Sequence, residues 1–232
     1  MPAAEIPFES DGGRVIRGAI FDVDGTLLDS MGIWDTIGED YLRSLGYEPR
    51  EKLNERFRTM SLPEAAAYYI SEYGVPLTAE EICRQVNARI ERFYREEAAL
   101  KFGAADFIKR LYDAGVKLAI ATATDDFLVE AALRRCGVME YFSALVTCTH
   151  VNQGKDRPDV YRAAMARIGT GREDTVIFED SLKALRTARD DGFYTVGVFD
   201  PFERDQAGVQ ALAHIYLKNY SDWEEFRKFA LT

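Results

Sequence analysis

The chain is poor in the residues from which many active sites are built. It has two histidines, His150 and His214, too few for a zinc site or for a convincing Ser-His-Asp triad. Its three cysteines, Cys83, Cys136 and Cys148, are odd in number, far apart and without a CxxC pair, which fits neither a disulfide framework nor a thiolate metal centre. Positive charge is in deficit: 29 Lys and Arg stand against 39 Asp and Glu, a formal net charge of −10. That sign disfavours partners bound through a phosphate backbone or an anionic membrane surface, so neither nucleic acid nor membrane is expected as a partner. The longest apolar stretches, such as 116–123, fall short of the ~20 residues of a membrane helix and contain polar residues. No basic segment followed by an apolar one marks the start, and a cytoplasmic location is expected.

What is present is ordinary in composition and specific in pattern. With 232 residues, 47% hydrophobic and 29% charged, the chain can bury a sizeable core. At roughly 150 residues per domain, the length suggests either one large unit or a core with an insertion. Residues 1–13, with Pro2, Pro7, Gly12 and Gly13, read as a flexible leader.

A first strand is predicted over 15–21, ending at Asp22. Residues 31–100 then read as helical, with Ile33, Ile37, Tyr41 and Leu45 spaced by fours, and with capping boxes at Ser61-Leu62-Pro63-Glu64 and Thr78-Ala79-Glu80-Glu81. No strand is predicted in this block. Beyond Gly103, strands over 117–122, 144–147, 175–178, 195–198 and 215–217 alternate with helices over 104–114, 127–136, 158–168 and 182–190. Glycines 115, 137, 169 and 192 close these helices. Such alternation predicts an α/β fold, a Rossmann-like doubly wound parallel sheet (14–30 and 101–232) interrupted by an all-α segment (31–100).

In such sheets ligands bind outside the carboxyl ends of the strands, where this sequence places Asp22, Asp24, Thr122, Glu179 and Asp180, with Lys155 following the third strand. Four carboxylates on one edge repel unless cations balance them, and Lys155 supplies one charge. A divalent ion is implied, and oxygen ligands without thiolate or imidazole suit Mg²⁺. Singly, each residue has an ordinary reading: Asp24-Gly25 as a turn, Thr122 as a strand former, Lys155 as a solvated lysine, Asp180 or Ser181 as a helix N-cap. An EF-hand loop fits poorly, because its glycine position holds Leu27 and its fifth position Thr26.

Together the segments Phe21-Asp22-Val23-Asp24-Gly25-Thr26-Leu27-Leu28-Asp29-Ser30, Ile120-Ala121-Thr122-Ala123-Thr124, Gly154-Lys155 with Pro158-Asp159, and Phe178-Glu179-Asp180-Ser181 resemble the four motifs of the haloacid dehalogenase superfamily, in its phosphatase branch. The likeness spans 16–198, with a helical cap of class C1 over 31–100. It departs at Ala184, where many relatives have glycine.

The resemblance implies Asp22 as nucleophile, Asp24 as acid and base, and Thr122 and Lys155 as donors to the phosphoryl group. It implies Mg²⁺ held by Asp22, Asp180, Glu179 and the backbone carbonyl of Asp24, and substrate contacts from Gly25, Ala123, Thr124 and the cap residue Arg58. Asp24 and a cap with the single lysine Lys52 favour phosphate esters over carbon–halogen or phosphonate substrates. Met31 and Trp34 read either as an entrance or as a buried helix face. The segment around Arg58 resembles that of β-phosphoglucomutase-like proteins, but Trp34 and Leu62 stand where the mutases have histidine and arginine. The expected activity is therefore hydrolysis of a small phosphorylated metabolite, sugar phosphates among the candidates, by a monomer or homodimer. A phosphosugar mutase and a non-catalytic metal- or phosphate-binding regulator are the alternatives.

Overall fold

The computed structural model describes residues 16–57 and 60–230; the predicted leader over 1–13, Val15 and Arg58 lie outside the described residues. The chain divides into two compact units, one made of Met1–Asp29 and Ala99–Thr232, the other of Ser30–Ala98. In chain order, β1 (Gly18–Phe21) and β2 (Leu28–Asp29) precede α1 (Met31–Ser44), α2 (Leu53–Phe57), α3 (Leu62–Tyr73) and α4 (Ala79–Glu96). There follow β3 (Ala99–Leu100), α5 (Ala104–Asp113), β4 (Lys117–Thr122), α6 (Asp126–Arg135), β5 (Phe142–Thr147), α7 (Cys148–Val151) and α8 (Asp159–Ile168). The chain continues through β6 (Thr175–Glu179), α9 (Leu182–Asp190), β7 (Tyr194–Val198), α10 (Gln206–Leu212), β8 (Ile215–Leu217) and α11 (Trp223–Ala230).

Six strands form one sheet in the order β5-β4-β1-β6-β7-β8, each pair parallel. The predicted doubly wound α/β class is borne out. β1 and the apolar runs of β4 and β6 are buried because helices cover both faces of a parallel sheet. On one face Phe21 stacks on Phe178 of the neighbouring strand, ring centroids 4.1 Å apart, and Phe107 of α5 meets Phe178 edge-on at 5.7 Å. On the other, Ile20, Ala119, Val146 and Ile177 pack with Val160, Tyr161 and Ala164 of α8.

Several boundaries differ from expectation by one to three residues, β5 for instance beginning at Phe142 rather than at 144. Arg17 continues the ladder of β1, its N–H donating to Asp174 O at 2.8 Å and its carbonyl accepting from Lys117 N at 2.9 Å, although the strand proper begins at Gly18. Residues 99 and 100, read as the tail of the helical block, are extended and pair antiparallel with Leu28 and Asp29. Two residues are too few for a period-of-two pattern to show in a sequence.

Within Ser30–Ala98, both capping boxes form: Glu64 accepts from Ser61 N at 2.7 Å and Glu81 from Thr78 N at 2.8 Å. α4 buries Ile82, Val86, Ile90 and Tyr94 at a spacing of four. Tyr69 donates to Gly38 O at 2.7 Å, and Phe57 packs edge-on against Tyr69 at 5.1 Å. Trp34 is 44% exposed and Met31 half-buried, so α1 turns neither fully inward. Among the described residues, no helix is long and apolar enough to cross a membrane.

Candidate active site

The register of the sheet assembles the site. Phe21 lies level with Ile120 on one side and Phe178 on the other, and Asp22 N donates to Phe178 O at 3.0 Å. Within one or two residues of that level β1, β4 and β6 end together at the carboxyl edge, with Asp22, Thr122, Glu179 and Asp180. Here the strand order reverses about β1. Lys155, on the loop between α7 and α8, reaches the same edge.

Asp22, Glu179 and Asp180 are buried, and each brings one carboxylate oxygen to within 4.8 Å of the others. The Lys155 ammonium donates to Asp22 Oδ1 and, at 2.6 Å, to Glu179 Oε1. The Thr26 hydroxyl lies 2.9 Å from Asp180 Oδ1 and 3.3 Å from Asp22 Oδ2, so it ties the first motif to the fourth. Tyr161 of α8 donates to Glu179 Oε1 at 2.7 Å.

Three ionised carboxylates against one ammonium would leave two negative charges in a buried site. Burial pushes the Asp22 carboxyl well above its usual range; Lys155 opposes this, while Glu179, Asp180 and Asp24 add to it. Asp180 is pushed up to about 7, by burial first and then by Glu179, against the Thr26 hydrogen bond. Lys155 is held above its ordinary value because Asp22 and Glu179 outweigh burial. Hard oxygen donors carrying a twofold charge surplus fit a divalent cation, which would displace these protons.

Asp24 sits apart from this group. Gly25, at φ 77° and with its N–H on Leu28 O at 3.0 Å, turns the chain so that the Asp24 carboxylate accepts from the Thr124 hydroxyl. Thr124 N in turn donates to Thr122 Oγ1 at 3.1 Å. Thr122 is buried, and Ala123 is exposed at the same edge. The two aspartates of the first motif thus occupy different settings, one beside an ammonium and one beside a hydroxyl. Separating two carboxyl groups in this way is how a fold gives them different work.

The N-cap alternative for Asp180 does not hold. Ser181 occupies the N-cap of α9 without a side-chain cap bond, Leu182 N donates to Glu203 Oε2 at 3.0 Å, and Asp180 accepts from Thr26 instead. Ala184 is buried on α9. Two further contributors are not among the expected site residues. Thr26 lies inside the first motif, and Tyr161 lies two residues after Asp159 on the inward face of α8, where it reads as core.

The sequence profile of the haloacid dehalogenase-like hydrolases matches residues 19–198. The chain belongs to this family. Protein CbbY of Cereibacter sphaeroides is 32% identical over 199 residues, covering 78% of this chain and 86% of that one. Hexitol phosphatase B of Escherichia coli K12 is 27% identical over 175 residues, 74% of this chain and 78% of that one. The crystal structure of CbbY from Rhodobacter sphaeroides in complex with phosphate has a TM-score of 0.70 at 29% identity, covering 90% and 96% of the two chains. The expected enzyme class, a phosphatase of this family, is borne out.

Proposed function

We propose that the protein is a Mg²⁺-dependent hydrolase of a small phosphorylated metabolite, with sugar phosphates the first class to test, working through an aspartyl-phosphate on Asp22. The observation that carries this reading is the buried Asp22–Lys155–Glu179–Asp180 cluster with Asp24 held separately by Thr124. Phosphatase relatives, hexitol phosphatase B among them, support the substrate class.

An Asp22 carboxylate oxygen attacks phosphorus, and the P–O bond to the leaving group breaks in line. Asp24 gives its proton to the leaving alkoxide. As a carboxylate it then takes a proton from the water that attacks phosphorus, which frees inorganic phosphate and restores Asp22. Lys155 spends two of its three N–H groups on Asp22 and Glu179, which leaves one for a phosphoryl oxygen. Thr122 adds its hydroxyl, and Gly25, Ala123 and Thr124 line the same edge. Mg²⁺ held by Asp22, Asp180, Glu179 and the Asp24 carbonyl would neutralise carboxylates and phosphoryl oxygens together. Residues 31–100 are read as the family's helical cap.

The test is a screen of phosphate esters, p-nitrophenyl phosphate and hexose and hexitol phosphates among them, with Mg²⁺ and with EDTA. Phosphate release that depends on Mg²⁺ is expected. Interconversion of β-glucose 1-phosphate without phosphate release would instead indicate a mutase, and Mg²⁺ binding without any turnover a regulator.

The cation is expected to compete with protons. In metal-free protein Asp180 is held neutral below about pH 7. A raised carboxyl favours the fold at low pH and penalises it as pH rises through that value. EDTA-treated protein is therefore expected to bind Mg²⁺ more tightly at pH 7.5 than at pH 5.5, by about tenfold or more, with protons released. Calorimetric titration in buffers of differing ionisation enthalpy measures both quantities, and an affinity flat across this range would refute the competition.

A further inference from the structure

Tyr161 is a fully buried phenol outside the four motifs, and its hydroxyl reaches into the charged cluster. A buried hydroxyl needs a partner, and this one donates to Glu179 Oε1, the same oxygen that receives Lys155. Lys155 Nζ also lies 5.8 Å from the centre of the Tyr161 ring, so the phenol faces the ammonium with its ring and the carboxylate with its hydroxyl. The ring is held by Phe193, edge-on at 6.4 Å, and by its place in the core on α8. Phenylalanine would fill this space equally well, so packing does not explain the hydroxyl.

We propose that Tyr161 is a positioning residue. Its hydroxyl fixes Glu179 Oε1 as the seat of Lys155, which pins the ammonium beside Asp22 and leaves the second oxygen of Glu179 for the cation. The role rests on the phosphatase reading for its effect on turnover, but its effect on the metal does not need turnover. Without the hydroxyl, Glu179 keeps its bond to Lys155 but loses the second donor that fixes its carboxylate, so the cation meets a less well-ordered ligand.

The experiment compares wild type with Tyr161→Phe by Mg²⁺ titration calorimetry and by the dependence of kcat on Mg²⁺ with p-nitrophenyl phosphate. Mg²⁺ affinity is expected to weaken about fivefold to tenfold and kcat to fall about tenfold, with KM within twofold. Phe193→Leu, which removes the supporting ring and no hydrogen bond, is expected to lower Tm and leave Mg²⁺ affinity within twofold. The proposal is overturned if Tyr161→Phe binds Mg²⁺ as wild type does, if Phe193→Leu weakens binding as much, or if wild type binds no Mg²⁺. Wild-type protein that binds Mg²⁺ but hydrolyses no ester refutes the phosphatase reading alone, and the calorimetry still decides on Tyr161.

Discussion

Asp22→Asn is expected to cut phosphate-ester turnover by on the order of 10⁴-fold or more, the scale seen when a catalytic nucleophile is removed. The amide keeps the shape of the carboxylate and could not form the proposed aspartyl-phosphate. The same change is expected to leave the protein as stable as wild type or more so at pH 8. Asp22 is pushed well above the usual carboxyl range by burial, so its ionised form is costly in the fold, and a neutral amide removes that cost. By linkage the gain is expected to be larger at pH 8 than at pH 5, because a raised carboxyl makes the fold of wild type progressively less favourable as pH rises. Mg²⁺ affinity is expected to drop, because one of three clustered carboxylates is lost. Turnover assays, melting curves at the two pH values and Mg²⁺ titration check the three statements. Near-normal turnover in the variant would refute the covalent mechanism; a fall in Tm at pH 8 would show that Asp22 serves the fold through Lys155 more than burial opposes it.

The alternation of short apolar strands with glycine-closed helices is enough to place the parallel sheet, because strands buried on both faces are apolar throughout and stop where a polar residue must emerge. That is why Asp22, Thr122, Glu179 and Asp180 are legible as edge residues in the amino-acid sequence. The two-residue pair of Leu28–Asp29 with Ala99–Leu100 is not legible there, since nothing local marks a strand so short. Thr26 and Tyr161 are hidden for another reason: threonine after a glycine turn and tyrosine on the apolar face of a helix both have ordinary explanations. Only the folded chain reveals that the first hydroxyl bridges two motifs and that the second faces a carboxylate. Asp180 shows the converse. Its position ahead of a helix leaves an N-cap role open, and the fold closes that option by giving the duty to Glu203.

Lys155→Met is expected to separate stability from metal binding in the opposite sense to Asp22→Asn. The ammonium is the cation placed among three buried carboxylates, its side chain is only 13% exposed, and removing one partner of a buried pair costs roughly 3–5 kcal/mol. For a chain of this size that corresponds to a Tm lower by roughly 10 °C at pH 8. At pH 5.5 the loss is expected to be smaller, because Asp180, raised to about 7, takes up a proton and relieves part of the repulsion that Lys155 no longer offsets. Turnover is expected to fall about 10²- to 10³-fold, the usual effect of losing one donor to the developing charge. Mg²⁺ affinity is expected to be kept or tightened, since a competing positive charge has left the site, and Mg²⁺ is expected to restore much of the lost Tm. A variant that retains wild-type turnover would reduce Lys155 to a structural counter-ion, and a variant that loses Mg²⁺ binding along with stability would mean that Lys155 builds the site rather than sharing it with the cation.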